Sequence, residues 1–258
     1  MRTEPFSDDE LSHDRFLDGR VMVSQPRAGY RAAMDPVLLA AACPAREGER
    51  VLELGCGAGQ ASLCLGRRVA GLALAGLELQ PAYADLARRN ARANGLEFEV
   101  FEGDLARMPK ALRARRFDQV IANPPYYPPG QGTAATDAGR ERAQREATPL
   151  ADWIAAGYRR LEPGGWLTVI QSVDRLADLL AAMAAGGGAL SVLPVAPRPG
   201  RDAGRVIVRA RKGARTPLRL LAPFVLHGAA QHDRDGEDLS PLGRAVLRDG
   251  MELPFAGQ

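Results

Sequence analysis

The stretch RVLELGCGAG, residues 50–59, decides the fold of this 258-residue chain. Its first half is a short apolar run typical of a buried strand, and its second half carries Gly55, Gly57 and Gly59. These glycines let the backbone turn tightly from a strand into a helix and approach a ligand with no Cβ in the way. Position 60 holds Gln60, where a dinucleotide-binding fingerprint has a glycine, so a pyrophosphate site is disfavoured.

Strand-like and helix-like segments alternate along the chain after this turn. Short apolar or alternating runs end near Glu78, Asp104 and Asn123, and a fifth covers WLTVIQS, residues 166–172. Helical patterns lie between them. Repeated β-α-β alternation predicts an α/β fold, with a mostly parallel sheet and helices on both faces.

We expect one domain with three consecutive parts. Residues 1–47 form a lead-in hairpin and helix, 48–212 a ligand-binding core, and 213–258 a C-terminal extension. Asp35 and Pro36 predict the N-cap and the first residue of the lead-in helix. RVIVRARK, residues 205–212, has the pattern of an edge strand.

The composition is typical of a globular protein of the reducing cytosol, with 46% hydrophobic residues. None of the spacings between Cys43, Cys56 and Cys64 is CxxC, so neither a disulfide framework nor a metal site is expected. The N-terminus MRTEPFSDDE lacks the basic start and apolar centre of a signal peptide, and the longest weakly polar run is far short of a membrane span. We therefore expect a cytoplasmic location.

A net charge of +3 conceals one strongly basic stretch, residues 198–219. It holds eight basic residues and a single acid, Asp202. Two interpretations stay open: a solvated face, or a patch that binds a polyanion. The basic residues are Arg198, Arg201, Arg205, Arg209, Arg211, Lys212, Arg215 and Arg219.

Acidic residues lie at three places where ligands of parallel sheets bind. Glu78, at the end of the second core strand, is placed to accept hydrogen bonds from a ribose diol, and Asp104, at the end of the third, to accept them from an adenine amino group. Glu53, at the start of the glycine turn, would repel a pyrophosphate but suits an ammonium or a sulfonium. S-adenosylmethionine presents both, and is the cofactor that these residues predict.

The motif IANPPYYPPG, residues 121–130, follows the fourth core strand. The Asn-Pro bond favours an extended Asn123, and Pro124 and Pro125 stiffen the chain after it. An amide oxygen and an unpaired backbone carbonyl would then lie side by side and accept both hydrogens of one planar NH2 group, while Tyr126 offers a flat face to the ring or amide that carries it. Such acceptors orient a delocalised amine and free its lone pair for attack on a methyl group.

The chain resembles the class I S-adenosylmethionine-dependent methyltransferases that act on amino groups. The residues that carry the resemblance are Gly55, Gly57, Gly59, Glu78, Asp104 and the NPPY of 123–126. The resemblance covers roughly residues 20 to 212. It implies a Rossmann-like, seven-stranded sheet whose last strand, near RVIVRARK, is antiparallel to the rest. The chain is further similar to the bacterial tRNA(Val) adenine N6-methyltransferases, from QPRAGYRAAMDPVLLA through NPPYYPPG to LLAPFVLHG.

This resemblance implies roles for individual residues. Asn123 and the Pro124 carbonyl would bind the target amine, Tyr126 would stack on the base, and the lead-in near Gln25 and Tyr30 would close over the cofactor. Catalysis is assigned to Asn123, Pro124 and Tyr126. Cofactor binding is assigned to Glu53, Gly55, Gly57, Glu78, Asp104 and Asn123. Contact with tRNA phosphates is assigned to Arg140, Arg142 and Arg145. The family has a histidine near the end of this arginine-rich segment, where this chain has Arg145 before Glu146.

Other functions stay open at this point. The same motif serves glutamine N5-methylation of a protein such as a release factor, although those enzymes usually carry a helical N-terminal domain and only about 50 residues precede the glycine turn here. DNA methylation would need a large target-recognition domain. A non-catalytic RNA-binding module on the same fold is a third possibility, which the intact NPPY disfavours, and a nicotinamide dehydrogenase is a fourth.

Overall fold

A computed structural model describes residues 2–28, 31, 33–126, 148–229 and 238–255. Its helices are α1 (Asp35–Ala42), α2 (Gln60–Arg68), α3 (Pro81–Ala93), α4 (Lys110–Arg113), α5 (Leu150–Arg160), α6 (Leu176–Ala184) and α7 (Pro241–Leu247). Its strands are β1 (Leu11–Phe16), β2 (Val21–Pro26), β3 (Arg50–Leu54), β4 (Ala73–Glu78), β5 (Phe98–Glu102), β6 (Phe117–Ala122), β7 (Leu161–Ser172), β8 (Gly187–Ala196), β9 (Arg205–Lys212), β10 (Arg219–Leu220) and β11 (Phe224–Val225).

The central sheet has the order β8-β9-β7-β6-β3-β4-β5, with the two-residue strands β10 and β11 added beside β8. Strand β9 pairs antiparallel with both of its neighbours, and every other pair in the sheet is parallel. The expected seven-stranded, mostly parallel sheet with an antiparallel last strand is therefore confirmed. The prediction that residues 205–212 form an edge strand is wrong, because β9 lies between β7 and β8 and residues 206–210 are all buried.

Two apolar cores cover the two faces of the sheet, as the alternation of strands and helices predicts. Helices α1, α2, α3 and α7 pack on one face together with the hairpin β1-β2. Helices α4, α5 and α6 pack on the other. Helix α3 begins at Pro81, whose fixed φ suits the first helical position, and a left-handed Gly95, with φ of 63°, follows its end.

Helix α1 begins one residue earlier than expected. Asp35 is its first residue and Met34 precedes it as the cap, so Asp35 is not the N-cap. The carboxylate of Asp35 bonds to Tyr126 and Arg205 instead of the free N–H groups of its own helix. A tertiary contact has replaced the local capping bond that the sequence pattern predicts.

Two asparagines hold the hairpin β1-β2 against α3. The Asn90 Oδ1 accepts from the Ser24 N–H at 2.8 Å, and the Asn90 amide donates to the Ser24 carbonyl at 3.1 Å. One turn further along α3, Asn94 makes the equivalent pair of bonds with Met22. The two asparagine side chains thus bond to backbone N–H and carbonyl groups along the outer edge of β2, as a neighbouring strand would. They fix the hairpin beside the glycine turn.

Candidate active site

A cavity of about 210 Å³ lies at the carboxyl ends of β3, β4, β5 and β6. Parallel strands end together at this edge of the sheet, so residues distant in sequence converge there. The structure brings all six predicted cofactor residues into the lining of this cavity: Glu53, Gly55, Gly57, Glu78, Asp104 and Asn123. Leu79, 44% exposed, adds an apolar wall.

The glycine turn has the left-handed backbone that its residues predict. Gly55, Gly57 and Gly59 have φ of 66°, 54° and 91°, a region that side chains with a Cβ rarely occupy. The N–H groups of Gly55 and Cys56 both donate to the Leu77 carbonyl, which ties the turn to β4. The turn therefore presents a fixed backbone surface to the cavity.

Glu53 is buried at the start of this turn. One oxygen, Oε2, accepts hydrogen bonds from the Ser62 N–H at 3.0 Å and the Ser62 hydroxyl at 2.6 Å. Burial raises the pKa of the carboxyl to about 8, and the negative charge of Glu78 acts in the same direction. A cationic group of a ligand would supply the favourable interaction that the ionised carboxylate lacks.

Glu78 and Asp104 lie in the same cavity with their carboxylates partly engaged by backbone. Glu78 Oε2 accepts from the Gly57 N–H at 2.9 Å and Oε1 from the Gln80 N–H at 2.8 Å, while burial raises the pKa of the carboxyl. Asp104 Oδ1 accepts from the Ala106 N–H at 2.8 Å. Since each carboxylate oxygen has two lone pairs, both side chains keep the capacity to accept from hydroxyl or amino groups.

Asn123 follows β6 directly, and its side-chain oxygen is the clearest sign of a ligand in the cavity. Asn123 Oδ1 is buried, and no hydrogen-bond partner for it occurs in the part of the chain that the structure describes. A buried carbonyl oxygen without a donor costs about 1 to 3 kcal/mol. The atom is therefore placed to receive a hydrogen from a bound molecule.

The Pro124 carbonyl has a hydrogen-bond donor nearby, whereas the sequence predicts that it is unpaired. Gln171, fully buried on β7, places its side-chain Nε2 3.4 Å from the Pro124 oxygen and 3.3 Å from the Pro125 oxygen. The carbonyl is thus not unpaired. These distances are at the long end for a hydrogen bond. Because a carbonyl oxygen has two lone pairs, the Pro124 oxygen can still accept from a second donor.

Tyr126 is held by residues from two other parts of the fold. Its hydroxyl donates to Asp35 Oδ2, and the Arg205 Nε donates to the same oxygen at 3.1 Å. The Arg205 guanidinium carbon also lies 4.7 Å from the centre of the Tyr126 ring. One face of this ring is therefore covered by a cation.

Gln25 of the lead-in is bonded to a residue that lines the cavity, and closure of the lead-in over the cofactor stays a prediction. The Gln60 amide, which lines the cavity, donates to Gln25 Oε1 at 2.8 Å, and the Gln25 amide donates to Asp14 at 2.6 Å. Tyr30, and the predicted phosphate contacts Arg140, Arg142 and Arg145, lie outside the described residues.

The basic stretch 198–219 is not one continuous surface. Arg209 is buried, donates to the Ala42 carbonyl and stacks 3.6 Å from the centre of the Phe255 ring. Arg198 and Arg205 pair with Asp238 and Asp35. Arg201, Arg215 and Arg219 are exposed. The polyanion interpretation can apply only to the exposed members.

Sequence reasoning missed several residues of the site. Trp153 on α5 lines the cavity, and its buried Nε1 has no hydrogen-bond partner among the described residues. Gln171 and Arg205 reach the NPPY motif from β7 and β9. A polar residue inside an apolar strand, as at Gln171 in WLTVIQS, is the one sequence signal that pointed to a special contact.

The described residues contain no group of three or more His, Cys, Asp or Glu side chains arranged to hold a metal ion. Among the same residues, no helix has the length and apolar character needed to cross a membrane.

Comparison with known proteins agrees with this geometry. The family described as "Methyltransferase small domain" matches residues 33–183. The tRNA1(Val) (adenine(37)-N6)-methyltransferase of Dickeya chrysanthemi is 29% identical over 211 residues, covering 80% of this chain and 83% of the relative. The protein of the same name from Porphyromonas gingivalis is 31% identical over 175 residues, covering 64% of this chain and 68% of the relative.

Two further matches are informative. The crystal structure of a predicted O-methyltransferase from Agrobacterium tumefaciens superposes with a TM-score of 0.67 at 28% identity, covering 83% of this chain and 95% of that one. A release factor glutamine methyltransferase of Geobacter sulfurreducens is 31% identical, but the match covers only 50% of this chain and 48% of the relative.

Proposed function

This chain belongs to the methyltransferase small-domain family and is an S-adenosylmethionine-dependent methyltransferase; from that premise we propose that it methylates the exocyclic N6 amine of an adenosine in tRNA. The relatives named for adenine 37 of tRNA1(Val) support the same position as the target. The observation that carries the proposal is the buried Oδ1 of Asn123 in the cavity, which has no hydrogen-bond partner among the described residues.

The cavity fits the cofactor by the chemistry of its side chains. Glu53 is engaged through Oε2, and its Oε1, which makes no hydrogen bond within the described part of the chain, suits an ammonium or sulfonium. Glu78 and Asp104 keep lone pairs for hydroxyl and amino groups, and Gly55 and Gly57 leave room for close approach. S-adenosylmethionine supplies a sulfonium methyl group that a neutral amine can attack. The roles of these residues toward the cofactor are part of the proposal.

The acceptor side of the site would act by orientation. Asn123 Oδ1 accepts one hydrogen of the target amine, and the Pro124 carbonyl accepts the other with the lone pair that Gln171 leaves free. Both bonds favour a pyramidal nitrogen, whose lone pair is no longer delocalised into the ring. Preorganised acceptors in a site closed to water are worth more than the same groups in solution.

Tyr126 would stack on the target base, with its ring held in place by the Arg205 guanidinium, whose carbon lies 4.7 Å from the ring centre. An adenine must leave its stack to reach this depth, and single-stranded loops of RNA release a base most readily. The phosphate contacts predicted for Arg140, Arg142 and Arg145 belong to this proposal, as does the division into a lead-in, a core and an extension within one domain.

The test is methyl transfer from labelled S-adenosylmethionine to unmodified tRNA, followed by nuclease digestion. We expect labelled N6-methyladenosine, and its absence would reject the tRNA proposal. Asn123→Ala is expected to abolish turnover while the affinity for S-adenosylhomocysteine changes by no more than about 1 to 3 kcal/mol. An unchanged rate in that variant would remove Asn123 from the mechanism.

A release factor serves as the competing acceptor in the same assay. A glutamine amide is planar and would also fit between Asn123 and Tyr126, and the partial match to a glutamine methyltransferase makes this the second candidate. Label in the protein and none in the RNA would replace the first proposal by the second. Label in neither, with cofactor still bound, would favour a non-catalytic module.

A further inference from the structure

The Tyr126 side chain is held at two places by two residues that lie far from it in sequence. Its hydroxyl donates to Asp35 Oδ2 at the first residue of α1. Arg205, the first residue of β9, donates to the same oxygen at 3.1 Å and lies over the ring at 4.7 Å. Tyr126, Asp35 and Arg205 therefore each contact the other two.

The shared carboxylate is less exposed than the guanidinium that pairs with it. The Asp35 side chain is 18% exposed and the Arg205 side chain 40% exposed. A carboxylate that accepts both a phenol and a guanidinium has fixed directions for both donors. The ring of Tyr126 is then fixed in position and in tilt, because its hydroxyl end and one face are both restrained.

We propose that Asp35 and Arg205 are positioning residues that hold the Tyr126 ring in one orientation, the one in which it meets a flat acceptor amine. This rests on the proposed function for the identity of the acceptor, but it applies to an adenine and to a glutamine amide alike. Asp35 and Arg205 touch neither reacting atom. They act through the tyrosine ring, and misplacement of a reactant by a small distance is enough to slow transfer.

The activity test is a double-mutant cycle between Tyr126→Phe and Asp35→Asn. Phenylalanine keeps the ring and removes the hydroxyl, and asparagine keeps the shape of Asp35 and removes its charge. We expect each single variant to lower kcat/KM for the acceptor by roughly tenfold or more, the scale of a lost charge-assisted bond. In the double variant the loss should be close to that of one single variant, because both changes break the same contact.

Binding of S-adenosylhomocysteine separates positioning from general damage to the fold. It should stay within about twofold of wild type in all three variants, since Asp35 and Tyr126 do not line the cofactor cavity. Arg205→Lys should recover part of the rate lost in Arg205→Ala, because lysine keeps the cation but not the planar cover. Losses that simply add in the double variant would overturn the proposal.

Asp118→Asn is the matched control. Asp118 lies at the opposite end of β6 from Asn123 and pairs with Arg50 at 3.1 Å, a carboxylate-arginine contact of similar length on the same sheet. Its loss should leave kcat/KM for the acceptor unchanged. An equal loss in this variant would mean that any such pair matters, which would also reject a specific role for Asp35.

A second measurement does not depend on the acceptor. Carbon-13 labelled tyrosine gives few ring signals, since the chain has five tyrosines, and Tyr126→Phe identifies the signal of interest. Asp35→Asn and Arg205→Ala should shift that signal, and Asp118→Asn should not. If tRNA is not methylated, the proposed function fails while this measurement still tests the contacts. An unmoved signal in Asp35→Asn rejects them even if tRNA is the substrate.

Discussion

The side-chain amide of Gln171 donates a hydrogen bond to the backbone carbonyl of Pro124 at 3.4 Å, across the gap between β7 and the NPPY motif. It reaches the Pro125 carbonyl at 3.3 Å, and its own Oε1 accepts from the Ser172 N–H at 2.8 Å. All of these groups are buried or partly buried. Gln171 thus links the strand beside β6 to the segment that presents Asn123 to the cavity.

Replacing Gln171 by Met keeps the approximate volume and removes every one of these hydrogen bonds. We expect kcat to fall and the affinity for S-adenosylhomocysteine to stay near wild type, because Gln171 does not line the cofactor cavity. The stability cost should be about 1 to 3 kcal/mol, as for buried polar groups left unpaired. Denaturant unfolding and steady-state kinetics measure the two effects separately.

Gln119→Met is the control for this variant. Gln119 is also buried, lies on β6 and donates to Glu49 at 2.8 Å, away from the NPPY motif. It should lose similar stability with little change in kcat. Equal kinetic losses in the two variants would show that stability alone, and not support of the motif, explains the effect.

The buried Glu53 predicts a pH dependence with a defined sign. Its pKa is raised from an ordinary value of 4.5 to about 8, so the folded protein binds a proton that the unfolded chain releases. The free energy of unfolding without ligand should therefore fall as pH rises between these two values. A bound ammonium or sulfonium favours the ionised carboxylate, so cofactor binding should release a proton and weaken as pH falls below 8.

Calorimetry in buffers of different ionisation enthalpy measures this proton release directly. The affinity of the wild type for S-adenosylhomocysteine should rise between about pH 6 and 7.5, by at most tenfold per pH unit for a single proton. Glu53→Gln cannot ionise and should bind more weakly with a smaller pH dependence. The remaining dependence is assigned to Glu78, whose pKa is also raised by burial. A wild type without proton release would contradict the assignment.

The parts of the site that the sequence predicts are the local ones. Glu53, Gly55 and Gly57 lie in one turn, and Glu78 and Asp104 each follow a strand directly, so parallel pairing alone brings them to one edge. Asn123 reaches the same edge because it directly follows β6, which pairs parallel with β3. The contacts that could not be predicted join distant segments: Asp35 and Arg205 meet at Tyr126 across 170 positions.

Two errors have the same physical origin. The local pattern predicts that Asp35 caps its own helix and that RVIVRARK lies at an edge of the sheet. Both predictions are wrong because a local pattern carries no information about the distant residues that pack against it. Arg209 is a third example. Its position in a basic run predicts a surface charge, but the side chain is buried, donates to the Ala42 carbonyl and packs on the Phe255 ring. Burial lowers its pKa to about 10.

The asparagines of α3 predict a difference between two similar variants. Asn90 bonds to both backbone groups of Ser24 and donates to the Ala58 carbonyl in the glycine turn at 2.9 Å. Asn90→Ala leaves these partly buried groups unpaired and should cost about 2 to 4 kcal/mol of unfolding free energy. Because Ala58 belongs to the turn that lines the cavity, affinity for S-adenosylhomocysteine should fall as well.

Asn94→Ala is the comparison for Asn90→Ala. Asn94 makes the same kind of contact with Met22, at an edge where water can replace the lost bonds. Its stability loss should be about 1 kcal/mol or less, with unchanged cofactor affinity. If the two variants lose cofactor affinity equally, the link through Ala58 is not what connects the hairpin to the site.

Replacing each glycine of the turn by alanine is expected to lower the free energy of unfolding by different amounts. A Cβ on Gly55 would lie 2.6 Å from Trp153 Cη2, whereas a Cβ on Gly57 meets no atom within 4 Å. Both positions have a left-handed φ, which costs about 1 to 2 kcal/mol for any residue with a side chain. Gly55→Ala should add an overpacking cost of about 1 to 3 kcal/mol against the indole ring.

Trp153→Leu separates the two contributions, because it removes the ring that the new methyl group would strike. The Gly55→Ala change should cost less stability in a Trp153→Leu background than in the wild type, while Gly57→Ala should cost the same in both. Both alanines should weaken S-adenosylhomocysteine binding, since both glycines line the cavity. Chemical denaturation gives the stabilities. Equal costs for Gly55→Ala in the two backgrounds would show that backbone strain alone, and not the contact with Trp153, reserves this position for glycine.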